Sequence, residues 1–167
     1  MPDGERVARP RLQRHQSLGY QVNHAARLLE QELRRRIEAL GVVPGQFAAL
    51  LALYESDGVT QAELGDRVQI EQSTMTKTLV RMERDGLVSR APDPHDRRRT
   101  LVRLTDHARA LEPQLTDAAR STNDLAIAGL EQHEVEVLMT ALGQIINNLT
   151  RAVTRPRPDQ TRLPADE

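Results

Sequence analysis

Seven apolar residues, Leu18, Val22, Ala25, Leu29, Leu33, Ile37 and Leu40, step along the chain by three or four positions without a break. Steps of that size place one apolar stripe on one face of a helix. A long helix is therefore predicted over about Ser17–Leu40, ending at Gly41. Such a helix cannot bury its own stripe, so either the rest of the chain or a second copy must cover it.

The periods that follow are just as regular. A second helix is predicted from Pro44 to about Glu55, with Pro44 suited to a first-turn position. A third, short helix opens at Thr60, where "TQAE" makes a capping box of Thr60 and Glu63. A fourth runs from about Gln72 to Arg84 and stops at Gly86. The segments "LVSRA" and "RTLVRLT" read as short strands joined by "PDPHDRR". Thr105 caps a fifth helix with apolar positions Ala108, Leu111, Leu115, Ala118, Thr122 and Leu125, and Pro113 inside it is expected to bend it. A sixth helix, about Glu131–Val153, uses Val135, Leu138, Leu142, Ile145 and Leu149. Residues 1–16 and 155–167 show no such period and are expected to be a flexible arm and a flexible tail.

With two Tyr, one Phe and no Trp, the core must be aliphatic, which favours helices. The expected fold is mainly α with a small β-hairpin. A lobe over 41–104 is flanked by long helices over 17–40 and 105–154. These outer helices extend past anything the lobe can cover, so a homodimer is expected; the alternative is a monomeric bundle. The absence of cysteine excludes disulfides, thiolate metal sites and thiol redox sensing. No apolar run reaches membrane-spanning length and no signal peptide is recognisable, so a cytoplasmic protein with no membrane contact is the expectation.

A net charge of −1 conceals an asymmetry. Residues 71–103 hold eight basic and five acidic side chains, a net of +3. Residues 104–150 hold two basic and seven acidic ones, a net of −5. One region can attract a polyanion while another repels it. The densest positive charge, Arg97–Arg98–Arg99, falls on the tip between the two strands. Three adjacent arginines on an exposed tip repel one another unless a polyanion lies nearby, and a narrow minor groove supplies one. Asp96 stands beside them, placed to fix a guanidinium through a bidentate pair.

The third and fourth helices, separated by a short turn, suggest a helix-turn-helix. Met75, Leu79 and Met82 point inward. Gln72, Ser73, Thr74, Thr76 and Lys77 are left outward, a set suited to base edges and phosphates in a major groove. A solvated helix face would show the same pattern, so the basic hairpin carries the DNA-binding expectation.

The segments "GQFAALLAL", "GVTQAELGDRV", "EQSTMTKTLVRMERDGLVSR", "DPHDRRRTLVRLT" and "ARAL" resemble, in order and spacing, the MarR family of winged-helix regulators. The similarity covers about Leu18 to Leu149. It implies a winged helix-turn-helix lobe flanked by dimerisation helices, and a homodimer on double-stranded DNA that reads a pseudo-palindromic operator. It further implies a transcriptional repressor released by a small molecule. By the same resemblance, Gln72 to Lys77 are the major-groove readers, Arg98 the minor-groove arginine of the wing, Asp96 its partner, and Arg97 and Arg99 auxiliary. Three positions depart from the pattern. Val43 stands where a capping Thr is usual, Ala108 where a glycine is usual, and Pro113 makes the path of the fifth helix uncertain.

The resemblance also implies an effector cleft between the dimer helices and the lobe, which Tyr20, His24, Arg27 and Phe47 would line, a set suited to an aromatic or phenolic acid. Tyr20 and Phe47 as packing residues and Arg27 as surface is the competing reading. Asp93, His95 and Asp96 lack a fourth ligand, and His133–Glu136 lacks the second histidine of a zincin helix, so no metal site and no cofactor are expected. Ser73, Ser89 and Ser121 have no paired base, so no enzyme is expected either. Two alternatives fit the same residues: a constitutive DNA-binding regulator without effector, and a helical ligand- or metal-binding protein that never meets DNA.

Overall fold

The computed structural model describes residues 13–154. The expected arm and tail fall wholly or mostly outside the described residues; of the arm, only 13–16 are described, and Arg14–Gln16 form a 3-10 turn. Six α-helices and three strands follow in order: α1 (Leu18–Ile37), α2 (Pro44–Glu55), β1 (Val59–Thr60), α3 (Gln61–Val68), α4 (Gln72–Arg84), β2 (Val88–Pro92), β3 (Thr100–Leu104), α5 (Asp106–Ala126) and α6 (Gln132–Thr154). The chain divides into two units, one ending at Ala126 and the other beginning at Ile127.

Local chemistry explains most boundaries. Ser17 caps α1 by accepting from the Tyr20 amide at 3.3 Å. After a 3-10 turn over Glu38–Leu40, Gly41 takes a φ of 72°, which a glycine adopts without strain. The α3 capping box forms reciprocally: the Glu63 amide donates to Thr60 Oγ1 at 3.2 Å, and the Thr60 amide donates to Glu63 Oε2 at 2.8 Å. Thr105 caps α5 through the Ala108 amide at 3.1 Å, and its hydroxyl donates to the Gly86 carbonyl at 2.7 Å. The helix then runs unbroken through Pro113 to Ala126.

The hairpin of the sequence reading is part of a three-stranded antiparallel sheet in the order β1–β3–β2. The two strands β2 and β3 pair from Val88↔Leu104 to Pro92↔Thr100. The added strand, β1, pairs Val59↔Val102 and Thr60↔Leu101. Two residues give no readable alternation, which is why the sequence did not mark it.

The core lies under the lobe. Ile37, Leu50, Leu53, Leu64, Met75, Leu79, Met82, Leu104 and Leu115 meet there with Phe47, and the half-buried Tyr54 packs against them. On α4, Met75, Leu79 and Met82 are completely buried. Burying each such side chain stabilises the fold by about 1.5–3 kcal/mol. On α5 the expected stripe is inward at Ala108, Leu111, Leu115 and Thr122.

The other half of the α1 stripe stays uncovered. Leu18 is 56% exposed and Val22 43%. Next to them, α1 and α5 run against each other and leave a cleft of about 290 Å³. Ala25, Leu28 and Leu29 form one wall, Thr122, Leu125 and Ala126 the other, and Glu32 closes the lining. Described by itself, α6 buries no residue, and its Met139, Ile146, Leu149 and Val153 are each more than half exposed. Among the described residues no single helix is long and apolar enough to cross a membrane.

Candidate nucleic-acid interface

Two surfaces of the lobe carry the residues singled out from sequence. The first is the outer face of α4. Gln72, Ser73, Thr74, Thr76 and Lys77 are all exposed, opposite the buried Met75–Leu79–Met82 row. No side chain caps this helix at Glu71, so its first amide groups remain available to an anion.

The start of α4 comes close to α3 at Gly65. A Cβ there would lie 2.8 Å from Gln72 Nε2 and 3.2 Å from the Ile70 carbonyl oxygen. The turn between the helices passes through Gln69 at a φ of 55°, the one non-glycine residue with positive φ among those described. Its side-chain amide donates to the Asp66 carbonyl at 2.7 Å. The start of α4 is also braced from α3: Gln61 Nε2 donates to Thr76 Oγ1 at 2.7 Å, and that hydroxyl donates to the Gln72 carbonyl at 2.8 Å. Thr76 thus has a fixed hydroxyl orientation. Neither Gln61 nor Gly65 was marked from sequence, because nothing local distinguishes them from ordinary helix residues.

The second surface is the wing tip between β2 and β3, where residues 94–99 are all exposed. The tip is ordered by its own backbone. The Asp93 amide donates to the Arg99 carbonyl and the Arg99 amide to the Asp96 carbonyl, both at 2.9 Å. The His95 amide donates to Asp93 Oδ1 at 2.9 Å, and chiefly this contact holds the Asp93 carboxyl below its ordinary value.

Asp96 differs from the expectation. Its carboxylate accepts the backbone amide of Arg98 at 3.0 Å and makes no guanidinium pair among the described residues. An amide two residues away is reached by a short side chain at little entropic cost, whereas a solvated ion pair gains little. Asp96 therefore supports the wing by fixing its backbone.

The three arginines are not equivalent. Arg97 and Arg98 make no ion pair among the described residues. Arg99 does: its Nη2 donates to Glu63 Oε1 at 2.7 Å, reaching from the wing to the first turn of α3.

Of the four residues expected to line an effector cleft, three lie on α1 and Phe47 lies apart from them in the sequence, on α2. Phe47 is a core residue of the lobe, 9% exposed. Tyr20 and His24 meet edge to face on α1, with ring centroids 6.0 Å apart and Arg14 also 6.0 Å from the Tyr20 ring. Arg27 is exposed, and none of the four lines the α1–α5 cleft. Phe47 packs in the lobe's core, where its ring fills volume no smaller side chain fills. At the Val43 departure no side chain caps α2, and only the reverse half of a capping box forms: the Val43 amide donates to Gln46 Oε1 at 3.2 Å. Ala108 is fully buried, and its carbonyl accepts the Tyr54 hydroxyl at 2.7 Å.

Comparison with known proteins agrees with this architecture. A sequence model described as "MarR family" matches residues 40–99, the lobe from before α2 to the wing tip. The chain is 32% identical over 110 residues to the uncharacterized HTH-type transcriptional regulator YdgJ of Bacillus subtilis, covering 65% of this chain and 66% of that relative. The crystal structure of a probable transcriptional regulator from Pseudomonas aeruginosa superposes with a TM-score of 0.72 at 31% identity, over 78% of this chain and 98% of that one. The transcriptional repressor CouR, bound to a 23-mer DNA duplex, superposes with a TM-score of 0.72 at 25% identity, over 79% and 94%. Helix order, capped α3, three-stranded wing and sequence thus point one way: the chain belongs to the MarR family of transcriptional regulators.

Proposed function

We propose that the protein is a homodimeric repressor that binds double-stranded DNA at a pseudo-palindromic operator and is released by a small molecule. The observation that carries the DNA contact is the wing tip. Arg97 and Arg98 stand exposed with no acidic partner among the described residues, on the same lobe as the polar outer face of α4. Unneutralised guanidinium groups on a narrow hairpin suit the negative potential of a minor groove. The first turns of α4 would then read the adjoining major groove through Gln72, Ser73, Thr74, Thr76 and Lys77. That a similar fold is seen on a DNA duplex in CouR supports the same reading.

The dimer rests on apolar surface. The free half of the α1 stripe, the α1–α5 cleft and the apolar side chains of α6 are what a second copy would cover. The effector would be an aromatic or phenolic acid held near Tyr20, His24 and Arg27; with no cysteine in the chain, thiol oxidation is not its signal. A cytoplasmic location accords with this role.

Fluorescence anisotropy with duplexes enriched from a randomised pool tests the DNA contact, and sedimentation equilibrium tests the dimer. Binding should weaken steeply as salt rises, because released counterions drive it. No enrichment of any duplex, or binding indifferent to salt, would remove the reading. Thermal-shift screening of aromatic acids tests the effector, since a ligand of the folded state raises its stability.

A further inference from the structure

We propose that Arg99 is a positioning residue of the DNA-binding surface: held by Glu63, its side chain sets where the wing tip stands over α3 and does not itself contact nucleic acid. This rests on the DNA-binding reading above, and it separates Arg99 from Arg97 and Arg98, to which it is adjacent in sequence.

The geometry is a closed ring of contacts. Thr60 of β1 pairs with Leu101 of β3. One residue further, α3 begins, and Glu63 in its first turn accepts the Thr60 amide at Oε2. The other oxygen of the same carboxylate accepts Arg99 Nη2 at 2.7 Å. Arg99 lies two residues before Leu101, so the ring returns to β3 at the base of the tip. Its backbone belongs to the tip as well, because its carbonyl accepts the Asp93 amide and its amide donates to the Asp96 carbonyl. A hairpin joined to the lobe only through its two strands can swing about their base. A third attachment, from the tip to the rigid first turn of a helix, opposes that swing.

Glu63 is suited to the task. Its carboxyl is held below the ordinary glutamate value, first by the Thr60 amide and hydroxyl and then by Arg99, so it stays charged at neutral pH. Both partners are about half exposed, at 46% and 47%, so the pair contributes little to overall stability. Its effect is expected in wing placement.

The test is a double-mutant cycle on DNA affinity with Arg99→Ala and Glu63→Gln, using the duplex most enriched from a randomised pool by the wild-type protein. Gln keeps the acceptor that the α3 cap needs while removing the charge. Arg99→Ala should weaken binding about two- to fivefold. The slope of log affinity against log salt should stay unchanged, whereas loss of a phosphate contact would lower it by about 0.9. In the Glu63→Gln background, Arg99→Ala should cost less than in wild type, because the strut is already weakened. Two results would overturn the proposal: a reduced salt slope for Arg99→Ala, or a larger cost of Arg99→Ala once Glu63 is neutral. Either would mean that Glu63 masks a guanidinium that DNA otherwise uses. If the wild-type protein enriches no duplex at all, the DNA-binding reading fails and the strut's role with it. That outcome is distinct, because it appears before any variant is made.

Discussion

The side-chain amide of Gln46 donates to Asp85 Oδ2 at 2.7 Å, tying the first turn of α2 to the residue that caps the C-terminal end of α4. Gln46 is 2% exposed, and its oxygen accepts the Val43 amide. One buried side chain thus holds the backbone just before α2 and anchors the far end of α4, while the cap that a threonine hydroxyl at position 43 would give stays missing.

Gln46→Ala should therefore lower stability by about 1–3 kcal/mol, because two polar partners lose a part-buried contact at once. Val43→Thr should raise it by about 0.5–1 kcal/mol by supplying a hydroxyl to the α2 amides. Urea unfolding followed by circular dichroism measures both; a neutral Gln46→Ala would mean that Asp85 and Val43 are satisfied by water.

Gly65→Ala separates stability from recognition. The new methyl would displace the Gln72 amide, a flexible chain end, and press on the Ile70 carbonyl. Better helix propensity, about 1 kcal/mol, offsets the crowding, so the melting temperature should change little. DNA sequence preference should change in the way that Gln72→Ala changes it. Selection from a randomised pool with both variants checks this; unaltered preference would show that Gln72 does not read bases.

Arg98→Ala should weaken duplex binding by more than about tenfold and lower the salt slope by about 0.9, while dimer and fold stay intact. Anisotropy titrations over a salt series measure both quantities. A loss below twofold would detach the wing tip from DNA.

Tyr54 links α2 to α5 through its hydroxyl, which donates to the Ala108 carbonyl. Burial, assisted by the Glu112 charge, pushes its pKa up to about 12. A tyrosine whose folded pKa lies above the unfolded value stabilises fully below about pH 10, and the contribution is lost as pH rises towards 12. Stability should therefore fall over that alkaline range in wild type and less so in Tyr54→Phe. With only two tyrosines and no tryptophan in the chain, ultraviolet titration can follow the late ionisation directly; full ionisation of both near pH 10 would contradict it.

Much of the architecture was legible because it is local. An apolar residue every three or four positions, a Thr60–Glu63 pair three apart and a glycine at a helix end act within one or two turns. The inward row Met75–Leu79–Met82 and the outward face of α4 followed from spacing alone, as did the exposed wing tip. Asp96 meets the expected residue, Arg98, through a different group, since a nearby amide competes better than a solvated guanidinium.

What the sequence determined by itself was where helices and turns begin and end and which face of each is apolar, because those choices are made between residues a few positions apart. What only the tertiary structure decided was which distant groups meet. Arg99 finds Glu63 across 36 positions, Gln46 finds Asp85 across 39, Tyr54 reaches Ala108 across 54, and two residues of β1 complete the sheet. No pattern in the chain announces such pairs, because each depends on the packing of the aliphatic core that brings their helices and strands together.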